Sequence, residues 1–132
     1  RMDIVRLILE SPIYSELIAL LAKLPQLDRP RALALCERVA AKGQKEVYDL
    51  THMLLDLALA RMARAGISGP PQPEGCPGEA AVLARLAPDH LRAVAWASAA
   101  ERLAARARHG RAVNLDPAAL LMDMLLDLTT AA

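Results

Sequence analysis

Alanine and leucine dominate this sequence, in which they occupy 27 and 24 of the 132 positions. The chain has, by contrast, six valines, five isoleucines, one tryptophan, two tyrosines and no phenylalanine. β-Strands favour β-branched and aromatic side chains, whereas alanine and leucine are among the best helix formers. The sequence therefore predicts an all-α fold and argues against an all-β or a parallel α/β fold. A length of 132 residues fits one domain that spans residues 1–132.

Apolar residues recur at the spacing of amphipathic helices in several separate segments. Segment 2–10 has the pattern of the end of an incoming helix, and the first methionine, at position 2, lies inside it. We therefore expect the sequence to be a piece of a longer chain. The remaining pattern predicts a bundle of five to six helices, at 13–24, between Asp28 and Gly43, and at 45–65, 79–86, 90–108 and 117–128.

Capping residues and glycines predict where these helices begin and end. Asp28 and Asp116 are the expected N-caps of their helices, because a carboxylate there accepts hydrogen bonds from free backbone N–H groups. Gly66 is the expected end of the helix at 45–65, and Gly110 the expected end of the helix at 90–108. Segment 66–78 contains four glycines and four prolines. It predicts one long, stiff, Pro/Gly-rich loop.

Spacing also predicts which side chains are buried. The helix at 45–65 is apolar on two faces, which is typical of the central helix of a bundle. Its narrow polar stripe, Asp49, His52 and Asp56, is expected to face solvent. We expect Cys76 to be exposed in the loop. The buried positions predicted for the neighbouring helices are Leu33, Cys36, Val39 and Ala40, and further along Leu91, Val94, Ala95, Trp96, Ala99 and Leu103.

The sequence offers no catalytic, cofactor-binding or metal-binding signature. It has neither a GxxxxGK[ST] nor a GxGxxG pattern, so a nucleotide-binding loop is not expected. Asp49, His52 and Asp56 share one helix face, and a bundle enzyme with a metal–carboxylate centre is one interpretation of that face. Such centres require a second copy of the motif on another helix, which is missing here. A solvated stripe is the simpler interpretation, and we predict a domain that is not an enzyme.

Arginines cluster in segment 79–111 and suggest a second class of function. The formal net charge is only +1, but this segment has six arginines against three acidic residues: Arg85, Arg92, Arg102, Arg106, Arg108 and Arg111. Arg102 and Arg106 lie one helical turn apart, and two guanidinium groups so placed can bind phosphates. The alternatives are a helical nucleic-acid-binding domain, with Arg102 and Arg106 on the DNA backbone, or an ordinary solvated face.

Four segments in this order resemble a known family. LPQLDRPRALALCERVA, YDLTHMLLDLALARMARAG, PGEAAVLARLAP and NLDPAALLMDMLLDL are together similar to the C-terminal domain of the bacterial DNA polymerase III delta-prime subunits, above all those of alphaproteobacteria. The resemblance begins near position 13. These subunits belong to the clamp loader, the AAA+ machine that places the sliding clamp on primed DNA. The resemblance implies a helical collar domain without catalytic residues, and the collar domain of gamma/tau is the alternative within the same family.

The resemblance implies partners as well as a fold. A collar domain contacts the other clamp-loader subunits, delta and gamma/tau, and meets the sliding clamp and primed DNA only indirectly. No sequence segment is apolar for long enough to suggest a membrane span, and there is no signal-peptide pattern, so we expect a cytoplasmic location. The apolar side chains expected at a subunit interface are Tyr48, Leu55, Leu59, Met62, Leu121 and Leu125. The alternative is that the bundle itself buries both of these faces.

Overall fold

A computed structural model describes residues 12–132, which form six α-helices and contain no strand. The predicted all-α fold is therefore confirmed, and the predicted segment 2–10 lies outside the described residues. In chain order the helices are α1 (Pro12–Leu21), α2 (Arg29–Val39), α3 (Lys45–Ser68), α4 (Glu79–Leu86), α5 (His90–Ala112) and α6 (Pro117–Ala131). None of these helices has both the length and the apolar character needed to cross a membrane.

Aspartates cap three of the helices at their N-termini. The Asp28 carboxylate accepts a hydrogen bond from the Arg31 N–H (3.2 Å), and the Asp116 carboxylate accepts one from the Ala119 N–H (2.9 Å). Both predicted N-caps are thus confirmed. Asp89 caps α5 in the same way, through the Arg92 N–H (2.9 Å). Each carboxylate satisfies a backbone donor that has no partner inside its helix.

Helix α3 is the central helix of the bundle, as its two apolar faces predict. It packs against α1, α2, α4 and α5, and α6 closes the bundle against α2 and α5. Five of the six side chains predicted at a subunit interface lie inside this core and are at most 1% exposed: Leu55, Leu59, Met62, Leu121 and Leu125. The sixth, Tyr48, is half-buried and donates a hydrogen bond to the Pro117 carbonyl (2.8 Å). The predicted interface is therefore wrong for those five, because the chain's own helices cover both apolar faces of α3 and the inward face of α6.

Helices α3 and α5 lie antiparallel and approach very closely at Gly66. A Cβ atom at this position would lie 2.5 Å from the Asp89 carbonyl oxygen and 2.7 Å from Ala93 Cβ. Gly66 therefore serves close packing, and the prediction that it ends the helix is wrong. The helix continues to Ser68, and Gly69, at φ 85°, is the C-cap.

Gly110 has a similar role at the other end of this helix pair. It is buried within α5, and a Cβ atom there would lie 2.6 Å from the Leu120 side chain of α6. The helix does not end at Gly110 but continues to Ala112. The chain reverses afterwards at Asn114, whose φ of 58° lies in the left-handed region that asparagine tolerates.

The buried face of α5 is rotated from the predicted one. Trp96, Ala99 and Leu103 are buried as predicted, but Leu91 is 75% exposed and Val94 is 51% exposed. Ala93 and Ala107 complete the buried face. Ala93 packs directly on Gly66 and lets α5 approach α3 closely at this point, and the larger Leu91 and Val94 lie on the exposed side of the helix. In α2, Leu33 is likewise exposed, whereas Cys36 and Val39 are buried as predicted, and Ala40 is only partly buried.

Candidate functional site

A groove of about 340 Å³ lies between the first half of α3 and the second half of α5. Its floor is apolar, and its two walls carry opposite charges. We call this feature the α3/α5 groove. The side chains that define it are Asp49, His52, Met53, Leu55, Asp56 and Leu59 from α3, Leu103, Ala104, Ala107, Arg108 and Arg111 from α5, and Met124 from α6.

His52 forms the polar part of the floor. It is only 8% exposed, so the prediction that it faces solvent is wrong, and its ring stacks at a tilt on Tyr48 with 4.6 Å between the ring centroids. Its Nε2 atom has no hydrogen-bond partner. Burial, aided by the nearby positive charge of Arg111, lowers the pKa of His52 to about 4. The imidazole is therefore neutral at pH 7, because desolvation penalises its charged form.

Four charged side chains lie on the rim of the groove. Asp49 and Asp56 on α3 and Arg108 and Arg111 on α5 are all exposed. Among residues 12–132, none of the four forms an ion pair within 4 Å. The α3 wall is thus acidic and the α5 wall is basic, and neither neutralises the other by direct contact.

One wall of the groove carries an exposed apolar side chain, and the opposite wall is formed there by alanines. Met53, on the α3 wall, is 55% exposed, whereas the α5 wall is formed at this level by Ala104 and Ala107. Exposed large apolar side chains are unremarkable when single. Here, however, the methionine adjoins the apolar floor, and the groove is open because α5 has only methyl groups at these positions.

The arginines predicted to contact a DNA backbone are paired within the chain. Arg102 contacts Asp127 at 2.6 Å, and Arg106 contacts both Asp123 and Asp127 at 3.1 Å. Two other arginines of the cluster bond to backbone carbonyls: Arg85 to those of Ala22 and Leu24, and Arg92 to that of Ala131. Phosphate binding at Arg102 or Arg106 would therefore compete with existing carboxylate partners.

A second polar cluster, the Glu79 cluster, lies away from the groove where the Pro/Gly-rich loop meets the bundle. The fully buried Glu79 carboxylate accepts hydrogen bonds from Arg61 Nε (2.9 Å) and Nη2 (2.7 Å), from the Gly75 N–H (2.8 Å) and from the Tyr14 hydroxyl. Arg61 also donates to the Pro73 carbonyl (3.0 Å). The cluster thus fastens the loop to α1, α3 and α4.

The environment of the Glu79 cluster keeps its carboxylate charged. Burial alone would raise the pKa of Glu79, but the hydrogen bonds from Arg61, Gly75 and Tyr14 outweigh this effect and lower the pKa. Burial and the bond to Glu79 raise the pKa of Tyr14. Cys76, in the same loop, is 8% exposed, so its predicted exposure is wrong; burial raises the pKa of its thiol. The Glu79 cluster therefore holds the loop against the bundle, and neither Cys76 nor Tyr14 has the lowered pKa of an activated nucleophile.

The sequence analysis did not predict the Glu79 cluster, because no pattern of neighbouring residues indicates it. Glu79 in the first turn of a helix looks like an ordinary favourable interaction with the helix dipole, and Arg61 lies 18 positions earlier on another helix. Asp49, His52 and Asp56, considered above as metal ligands, do line the same groove. Within residues 12–132, however, no group of three or more His, Cys, Asp or Glu side chains is placed to hold a metal ion.

Compared with protein-family models, with curated proteins and with solved structures, the chain matches none of them.

Proposed function

We propose that this chain is a subunit-assembly domain, the collar domain of a bacterial clamp-loader subunit of the delta-prime type. In this role it holds other subunits and supports the loading of the sliding clamp during DNA replication, without catalysing a reaction itself. Its partners are the matching helical domains of delta and gamma/tau. A role in replication implies a cytoplasmic location.

The exposure of large apolar side chains at one end of the α3/α5 pair is the observation that carries this proposal. Ile67 is 67% exposed, Leu91 75% and Val94 51%. The contact of Gly66 with Ala93 brings these three side chains to the same end of the helix pair. We call them the apolar end. Neighbouring apolar side chains that a fold leaves exposed mark surfaces for protein partners.

The helix boundaries give independent support to the proposal. Each of the four segments that resemble delta-prime subunits covers most of one helix of the bundle: α2, α3, α4 and, for the closing sequence NLDPAALLMDMLLDL, α6. The capping aspartates Asp28 and Asp116 lie inside two of these segments. The segments therefore coincide with helices of the bundle, as expected for a shared arrangement of helices. Gamma/tau has a collar domain of the same plan and is the alternative identity.

Mixing the chain with the collar domains of delta and gamma/tau tests the proposal. We expect light scattering on a sizing column to detect a heteromer at micromolar concentrations. Replacing Ile67, Leu91 and Val94 by glutamate should abolish it, since a buried charge without a partner opposes association. Leu33→Glu, at a 44% exposed leucine of α2, is the control and should leave the heteromer intact. A wild-type chain that stays free of both partners would refute the proposal.

A further inference from the structure

We propose that the α3/α5 groove is an interface between two copies of this chain, which associate through a two-fold axis that runs along the groove. This inference goes beyond the proposed function, because it concerns association of the chain with itself and depends on residues other than those of the apolar end. It is carried by three properties of the groove: the distribution of its charges, the fit of its apolar surfaces and its neutral floor.

Charge distribution makes the groove complementary to itself. Carboxylates lie only on the α3 wall, at Asp49 and Asp56, and free guanidinium groups only on the α5 wall, at Arg108 and Arg111. The packing of Gly66 on Ala93 sets the register of this antiparallel pair, so Asp49 lies level with Arg108 and Arg111, and Asp56 lies about two turns further along the groove. A two-fold axis midway between the helices lays α3 of one copy over α5 of the other and keeps each residue's position along the groove. The acidic wall of each copy then faces the basic wall of its partner.

The same two-fold rotation also brings apolar surfaces of the two copies into contact. Met53 is exposed on the α3 wall, and the packing of Gly66 on Ala93 sets it level with the α5 wall between Ala104, which is half-buried, and Ala107, which is buried. The two-fold axis therefore brings Met53 of each copy onto the surface at Ala104 of the other. A long, flexible methionine suits such a shallow apolar site, because its side chain adapts to irregular gaps.

A partner can cover the floor of the groove without removing a charged group from water. His52 lies between the two charged walls and is neutral at pH 7, so a partner that excludes water from the floor buries no extra charge there. A nucleic-acid strand is a poorer occupant, because Asp49 and Asp56 would repel its phosphates along the whole α3 wall. A second copy satisfies the charges of both walls at once.

Sedimentation velocity of the 132-residue chain over the micromolar range tests this inference. We expect a concentration-dependent species of twice the 14.2 kDa chain mass, and more of it at about 0.05 M than at about 0.5 M salt, since rim charges are screened. Reversal of the basic wall, Arg108→Glu with Arg111→Glu, places like charges opposite one another. It should raise the dimer dissociation constant by about 100-fold or more.

Mixing two monomeric variants provides the most specific test. Reversal of the acidic wall, Asp49→Arg with Asp56→Arg, should also yield monomers. Mixed with the variant whose basic wall is reversed, it should form a heterodimer, because an all-basic groove then meets an all-acidic one. The control is Arg29→Glu with Arg31→Glu, at exposed positions of α2. It changes the net charge by the same amount as reversal of the basic wall and should dimerise as the wild type does.

Three results would overturn the proposal. A wild-type chain that remains monomeric at low salt throughout the micromolar range has no such interface. Dimers that survive reversal of the basic wall must use another surface. Two reversed variants that both become monomeric but form no heterodimer on mixing lack the complementarity on which the two-fold arrangement depends. Circular dichroism of each variant should show an unchanged helix content, since all four rim residues are exposed.

Discussion

Replacement of Glu79 by glutamine tests whether the Glu79 cluster stabilises the protein. The substitution keeps the size of the side chain but removes its charge and turns one acceptor oxygen into a donor amide. Arg61, whose side chain is 12% exposed, then loses its ion-pair partner, and four donors compete for one remaining carbonyl oxygen. No cavity forms, so the loss reflects polar interactions alone.

The structure sets the expected magnitude. Removing one partner of a buried ion pair costs about 3–5 kcal/mol. Arg61 retains its bond to the Pro73 carbonyl, and glutamine still accepts one hydrogen bond, so we expect the lower end of this range, about 3 kcal/mol. Glu74→Gln is the matched control. Its exposed carboxylate accepts only the Ala80 N–H (2.8 Å), and we expect it to cost about 1 kcal/mol or less.

Urea denaturation followed by circular dichroism measures both losses as shifts of the unfolding midpoint. A second readout follows the loop itself. Because Cys76 is buried beside the Glu79 cluster, its thiol should react with a disulfide reagent much faster in Glu79→Gln than in the wild type, while the core thiol of Cys36 stays protected. Equal midpoints for Glu79→Gln and Glu74→Gln, together with unchanged thiol reactivity, would refute the reasoning.

Three further predictions concern pH, packing and capping. Folding lowers the pKa of His52 from 6.5 to about 4, so the unfolded chain takes up a proton that the folded chain does not, and the free energy of unfolding is highest above pH 6.5. Acidification to about pH 5 should lower the free energy of unfolding, measured by urea denaturation, by about 2 kcal/mol. His52→Asn should remove that loss. Gly66→Ala should lower the melting temperature, since its Cβ would press on a backbone oxygen, whereas Gly110→Ala, which meets only a flexible leucine, should lower it less. Asp116→Ala should cost about 1 kcal/mol of unfolding free energy, because α6 loses its cap.

Local rules account for the parts of the fold that the sequence predicts well. Asp28 and Asp116 were identifiable as caps because capping depends on residues within one helical turn. The short helix Glu79–Leu86 has the bounds that its neighbouring residues predict, since a Pro/Gly-rich stretch precedes it and a proline follows shortly after it. The presence of a helix and the residue at which it begins can therefore be predicted from neighbouring residues.

Contacts between distant segments account for the errors. Gly66 and Gly110 look like helix ends, yet both are placed where another helix leaves no room for a side chain. The rotation of α5 likewise follows from its close packing on α3, and a pattern that counts Leu91 and Val94 as core cannot detect this. The groove was visible in the sequence only as the stripe Asp49, His52 and Asp56, because its basic wall lies on another helix.

The single tryptophan of the chain is an optical probe that the fold already contains. Trp96 is fully buried, and its indole N–H donates to the Leu86 carbonyl (2.8 Å) at the end of α4. Its fluorescence emission therefore reports on the junction between α4 and α5 and should be short in wavelength and inaccessible to quenchers. Any ligand, partner or solvent condition that separates these two helices becomes observable without a dye.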